Sequence, residues 1–255
     1  MRRSLLMVCC LAMGACAPVV TNNSLSSGNR VELERRAEIR MQLATAYYSE
    51  GQYATALSEL DQALQIGERK ADVLGLRGLV LMQLGDAEAA SKNLQQALQI
   101  EPNNPNLLNN MGWFLCENGQ AERALPLFDR AIATKANQTP AKAMMNAGRC
   151  SIKLGRGTQA EDYFRRALQA DPEQISAHSS LGKLAFDAHD LKRAKRHLLL
   201  VIASGRAMPE DFTIAMAIER QLGDKLGEES ISRQWRKRFP DALVSGKSSL
   251  GFVDE

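Results

Sequence analysis

Three histidines and five cysteines are the residues of this 255-residue chain with the most obvious capacity for chemistry. His178, His189 and His197 are 11 and 8 residues apart, offsets that do not place all three on one helical face, so no metal site is expected. The chain contains no glycine-rich phosphate loop, no nucleophile elbow and no zinc-protease histidine motif. No catalytic residues, cofactor or small-molecule substrate are therefore expected. Among the cysteines, Cys9 and Cys10 sit in an apolar N-terminal run, Cys16 closes it, and Cys116 and Cys150 lie far into the body. What the last two can do depends on the elements that carry them.

Arg2 and Arg3 precede an apolar stretch from Leu5 to Met13, which has the length of a secretory signal and is too short to span a bilayer. Met13-Gly14-Ala15-Cys16 resembles a bacterial lipobox, although leucine is usual where Met13 stands. Residues 1–15 then read as a lipoprotein signal peptide and Cys16 as the lipid acceptor. The alternative is an ordinary secretory signal with an incidental cysteine. Ala17 follows, not the aspartate of an inner-membrane retention signal, which favours the outer membrane with the body in the periplasm. Residues 16–36 read as lipidated N-terminus and tether, since 17–30 are polar, rich in Ser and Asn, and lack a helical period. The net charge of +3 falls close to neutral without Arg2 and Arg3, so nothing asks for nucleic acid.

The body lines up with itself every 34 residues. Small residues recur at Ala44, Gly78, Gly112, Gly148 and Gly182, at spacings of 34, 34, 36 and 34, with the two extra residues around Thr139-Pro140. Ala56, Ala90, Ala124, Ala160 and Ala194 keep step, as do Ala63, Ala97, Ala131, Ala167 and Val201. Bulk recurs at Leu60, Leu94, Phe128, Phe164 and Leu198. Two antiparallel helices approach closely only where small side chains meet at the crossing and large ones fill the gaps beside it. Gly51, Gly85, Gly119 and Gly155 mark the turns between helices, and Pro102 and Pro172 the exits to the next unit.

This pattern resembles the tetratricopeptide repeat. The resemblance implies an all-α, right-handed superhelix of about six helix-turn-helix units: 37–70, 71–104, 105–138, 141–174, 175–208 and a degenerate cap at 209–242. In the cap Gly223 keeps the turn, Glu228 stands where Ala is expected, and Arg233, Arg236, Lys237 and Arg238 give a polar last helix. That basic run reads as a solvated face, with phospholipid headgroups as the alternative. Residues 243–255 read as a tail. In repeats of this family the first helices line a concave face, and the corresponding positions here are Met41, Tyr48, Leu79, Met82, Trp113, Met145, Arg149 and Phe186. Methionine adapts and tryptophan anchors, so this is a candidate groove for a helix or an extended peptide. The alternative is that several of these residues pack against neighbouring repeats. Cys116 and Cys150 fall on consecutive first helices, where a bridge closing a loop of about 34 residues would contribute on the order of 3 kcal/mol. The alternative is two small buried hydrophobes.

A narrower resemblance rests on Asn109-Asn110-Met111-Gly112-Trp113-Phe114-Leu115-Cys116, on Thr139-Pro140 and on Asn146-Ala147-Gly148-Arg149-Cys150. These stretches resemble the pilotin lipoproteins of type IV pili, departing at Met111, where that family has an aromatic, and at Met13. The resemblance implies a lipoprotein that binds secretin subunits, brings them to the outer membrane and promotes their multimerisation. A competing reading is a scaffold lipoprotein for a peptidoglycan-remodelling or other envelope complex.

Overall fold

The computed structural model describes residues 23–134 and 137–240, with backbone alone for 23–27. The signal segment, Cys16, residues 17–22 and the tail lie outside the described residues. The described residues form twelve α-helices: α1 (Asn23–Ser49), α2 (Tyr53–Ile66), α3 (Lys70–Gln83), α4 (Ala87–Ile100), α5 (Pro105–Glu117), α6 (Ala121–Ala133), α7 (Pro140–Lys153), α8 (Gly157–Ala170), α9 (Ile175–Asp187), α10 (Leu191–Ala203), α11 (Pro209–Leu222) and α12 (Lys225–Arg238). Consecutive helices pair antiparallel, and the pairs stack in chain order. No described helix is long and apolar enough to cross a membrane.

The crossing within a pair explains its small residues. A Cβ on Gly148 would lie 2.4 Å from Phe164 Cε1, and one on Gly112 would lie 2.8 Å from Phe128 Cε1. Gly78 stands in the same relation to Leu94, and Gly182 to Leu198. These bulky partners are fully buried, as are the alanines of both second-helix series, so a side chain at the crossing has nowhere to displace them. The last pair exchanges sizes: Met216 occupies the position of the crossing glycines, and Ser232 that of their bulky partners. Met216 is buried in a cluster with Ile231 and Trp235, so the large residue has changed helix while the crossing stays filled.

Turns use the left-handed region where a chain reversal requires it. Gly155 has φ +70°, and His189, 34 residues further on, takes the same place with φ 58°. Histidine enters this region more readily than most residues but at a cost of about 1 kcal/mol. His189 is therefore a turn residue with an imidazole in place of the usual hydrogen.

One expectation changes. Residues 23–36, assigned to the tether, are helical and continue without a break into the first repeat. Glu32-Leu33-Glu34-Arg35-Arg36 are good helix formers, and Arg30 donates to Glu34 one turn on at 3.2 Å. Arg30 also approaches Glu68 at the end of the first pair, at 3.9 Å. The turn-to-turn support missing from a search for apolar periodicity comes from charge.

Candidate functional site

The first helices of the pairs, α1, α3, α5, α7, α9 and α11, follow one another along the stack. α1 packs on α3, α3 on α5, α5 on α7 and α9 on α11, while α7 and α9 approach less closely and share the core cluster of Met145, Ala177 and Leu181. All eight expected groove residues fall on these helices. Met41, Tyr48, Leu79, Met82, Trp113 and Phe186 are half-buried, and Arg149 is exposed. Met145 is 5% exposed and belongs to the core cluster of Phe164, Ala177 and Leu181. It is a packing residue, because its position on α7 points toward the next pair.

Met82 and Trp113 flank one cluster built around Phe128 and Cys116. Met41 and Tyr48 flank a second, and Phe186 a third. The structure thus gathers Met82 and Trp113 around one core and strings the others along neighbouring helices. Lys153 Nζ sits 6.0 Å from the Trp113 ring centroid and 2.8 Å from Glu117, so one edge of the indole is bounded by an ion pair. Tyr48 accepts from Gln83 Nε2 at 3.3 Å across the first two pairs, and burial raises its phenol above the ordinary range, which keeps it neutral.

Cys116 on α5 and Cys150 on α7 have Sγ atoms 2.26 Å apart and Cα atoms 5.8 Å apart, a Cα separation that a disulfide spans without backbone movement. The same two helices are tied by polar groups, since buried Asn109 accepts from Asn146 Nδ2 at 2.9 Å. One repeat further on, Met145 and Ser180 occupy the equivalent positions, and neither makes such a bond among the described residues. Nearby a cleft of about 400 Å³ opens, lined by the polar residues Arg149, Gln174, Ser176, Ser179, Ser180, Arg206 and Asp211 and by the apolar Ile175, Val201 and Met208. Of these residues only Arg149 was expected at a site. The signal was the substitution of short serines for the asparagines and longer residues of the preceding first helices.

Two of the three histidines come together: His178 on α9 and His197 on α10 have Nδ1 atoms 2.9 Å apart, while His189 stays at its turn. No group of three or more His, Cys, Asp or Glu among the described residues is placed to hold a metal ion.

Three tetratricopeptide repeat family models match residues 41–105, 81–148 and 141–174, together more than half of the chain. No curated protein sequence matches it. Among solved structures, PilW, described as a widely conserved type IV pilus biogenesis factor, is 27% identical with a TM-score of 0.70, covering 80% of this chain and 94% of its own. Pseudomonas aeruginosa PilF is 21% identical with a TM-score of 0.72, covering 83% and 96%. MamA, at 16% identity and a TM-score of 0.57 over 66% and 96%, shares the fold alone.

The histidine pair makes stability depend on pH. Burial holds both imidazoles below the ordinary range; His178, Arg193 and Arg196 depress His197 further, while Glu161 opposes this, and Glu173 opposes the effect at His178. Unfolded, both titrate near about pH 6.5. A folded pKa below the unfolded one gives stability that is complete above about pH 6.5 and is lost as pH falls through the folded value. Urea midpoints should therefore drop between about pH 7.5 and pH 5, and drop less in the His178→Gln/His197→Gln variant; parallel slopes would remove the pair from this account.

Proposed function

Because the chain belongs to the tetratricopeptide repeat family, we propose that it acts by holding a protein segment, and that the segment belongs to the secretin of a type IV pilus. The observation that carries this reading is the likeness to PilW along nearly all of that protein's length. The Trp113-Phe114-Leu115-Cys116 string of the pilotin resemblance supports it. In this reading Cys16 carries lipid and confines the body to the periplasmic face of the outer membrane, which raises the effective concentration of the groove where subunits arrive. Half-buried Met41, Tyr48, Leu79, Met82, Trp113 and Phe186 present adaptable apolar surface to the bound segment. Binding promotes localisation and multimerisation of the secretin, and no bond is made or broken.

Cys116 and Cys150 are bridged in the mature protein on this proposal, since the 5.8 Å Cα separation suits a bridge and the periplasm is oxidising. The bridge ties the third pair to the fourth, beneath Trp113.

Two experiments test these statements. Deleting the gene should remove the high-mass secretin band from unheated membrane extracts while leaving monomer, and a Cys16→Ala complement should restore less of it than the natural chain. Normal multimers in normal amounts after deletion would defeat the pilotin reading. For the bridge, thiol labelling of the denatured mature chain should detect no free Cys116 or Cys150, and reduction should lower unfolding free energy by about 3–4 kcal/mol; two labelled thiols would show that the pair is reduced.

A further inference from the structure

A second cleft, of about 440 Å³, opens between the second helices α8 and α10. Glu161, Arg165 and Gln169 line it from α8, and Arg193, Arg196 and His197 from α10. Half-buried Leu168 and buried Leu181 of α9 give it an apolar floor. Glu161 is already taken, since its two carboxylate oxygens accept from Arg193 at 2.8 and 3.4 Å. Arg165 and Arg196 are exposed, and neither makes a hydrogen bond or ion pair among the described residues. The preceding joint of the stack shows how the repeat closes the same positions by itself. Asp129 is the counterpart of Arg165, 36 residues earlier; Asp162 is that of Arg196 and Tyr163 that of His197, each 34 residues earlier. There the Tyr163 hydroxyl donates to Asp129 at 2.7 Å, and Arg166 donates to Asp162 at 3.4 Å. Between α8 and α10 both carboxylates have become guanidiniums and the phenol an imidazole, so donors face donors across the cleft.

We infer that this cleft binds a phosphate ester, with Arg165 and Arg196 as the charge-bearing donors and the organic part of the ester against Leu168 and Leu181. The acceptor that the joint lacks then comes from outside the chain. A phosphate turns its oxygens in several directions, so guanidiniums on two walls can meet it together, whereas the two oxygens of a carboxylate lie in one plane and are matched by a single guanidinium. His197 has Nδ1 on His178 at 2.9 Å, which leaves Nε2 as the nitrogen it can offer. The cleft has room for roughly fifteen waters at about 30 Å³ each, more than a bare phosphate fills, and its floor is apolar. Both features favour an ester over the free ion. The ester has two sources, the headgroup of a membrane phospholipid or a small soluble phosphate. The site is built on the second helices and does not rest on what the first-helix face holds.

Two pairs of probes separate these sources. The purified mature chain, labelled with 15N in maltoside micelles, is titrated with glycerol phosphate and with glycerate, its carboxylate counterpart. In a second series dioctanoylphosphatidylglycerol or phosphate-free dioctanoylglycerol is added to the micelles, and the side-chain Nε signals of Arg165 and Arg196 are followed throughout. At least one phosphate probe should move both signals saturably in the millimolar range. Glycerate should bind about tenfold more weakly than glycerol phosphate, and dioctanoylglycerol should not bind. Saturation by glycerol phosphate assigns a soluble ester; saturation by the phosphatidylglycerol alone assigns the headgroup. Arg165→Gln and Arg196→Gln, both at exposed positions, should keep the helical circular dichroism and each weaken binding about tenfold, the loss of one charge-assisted hydrogen bond. No saturable response to either phosphate probe, an equal response to the matching phosphate-free probe, or unchanged affinity in both variants would overturn the site. No secretin is present in this experiment, so its failure leaves the pilotin reading to stand or fall on the secretin band.

Discussion

The rest of the structure depends on how closely the two helices of a pair can approach, and in the four middle pairs that approach is set by one glycine facing one bulky side chain. Gly112 against Phe128 and Gly148 against Phe164 leave no space for a further carbon. With the distance set, the remaining side chains of each first helix are divided between those that pack on the second helix and those left for the next pair or for the outer face. Because each pair touches little beyond its neighbours, the stack gains stability step by step along its length. The cysteines and Asn109–Asn146 add to one such step, between the third and fourth pairs. The step after it, between α7 and α9, is held by apolar packing of Met145 with Ala177 and Leu181.

On the N-terminal side the first helices meet and carry apolar, half-buried side chains, with Trp113 at the edge. Past Arg149 the lining of the cleft mixes guanidinium and hydroxyl groups with Ile175, Val201 and Met208. On the proposed reading, lipid at Cys16 acts on encounter frequency and leaves specificity to the first-helix face.

Much of the fold was legible because the repeat imposes the same steric problem five times with one period, and glycine, alanine and large side chains answer it in register. The 36-residue spacing even located the irregular connection. Other features were hidden for particular physical reasons. His189 holds a left-handed turn that glycine marks elsewhere, so composition gave no signal there. Met216 and Ser232 fill the last crossing with their sizes exchanged, which breaks the pattern of residue types while preserving packed volume. α1 begins early, where an Arg30–Glu34 pair one turn apart, and not an apolar period, accompanies the helix. Met145 was assigned to the concave face by position, yet its exposure depends on how near the next helix comes, a distance no single repeat encodes. The cleft escaped notice for the same reason: its lining comes from several helices, from Arg149 to Asp211, and no single repeat encodes it.

The claim at the centre is that the first-helix face receives a secretin segment. A photo-crosslinking amino acid placed at Leu79 on that face, and separately at exposed Gln95 on α4, would test it in living cells. The account predicts a crosslink from position 79 to a secretin subunit and none from position 95. Secretin captured equally from both positions, or from 95 alone, would contradict it.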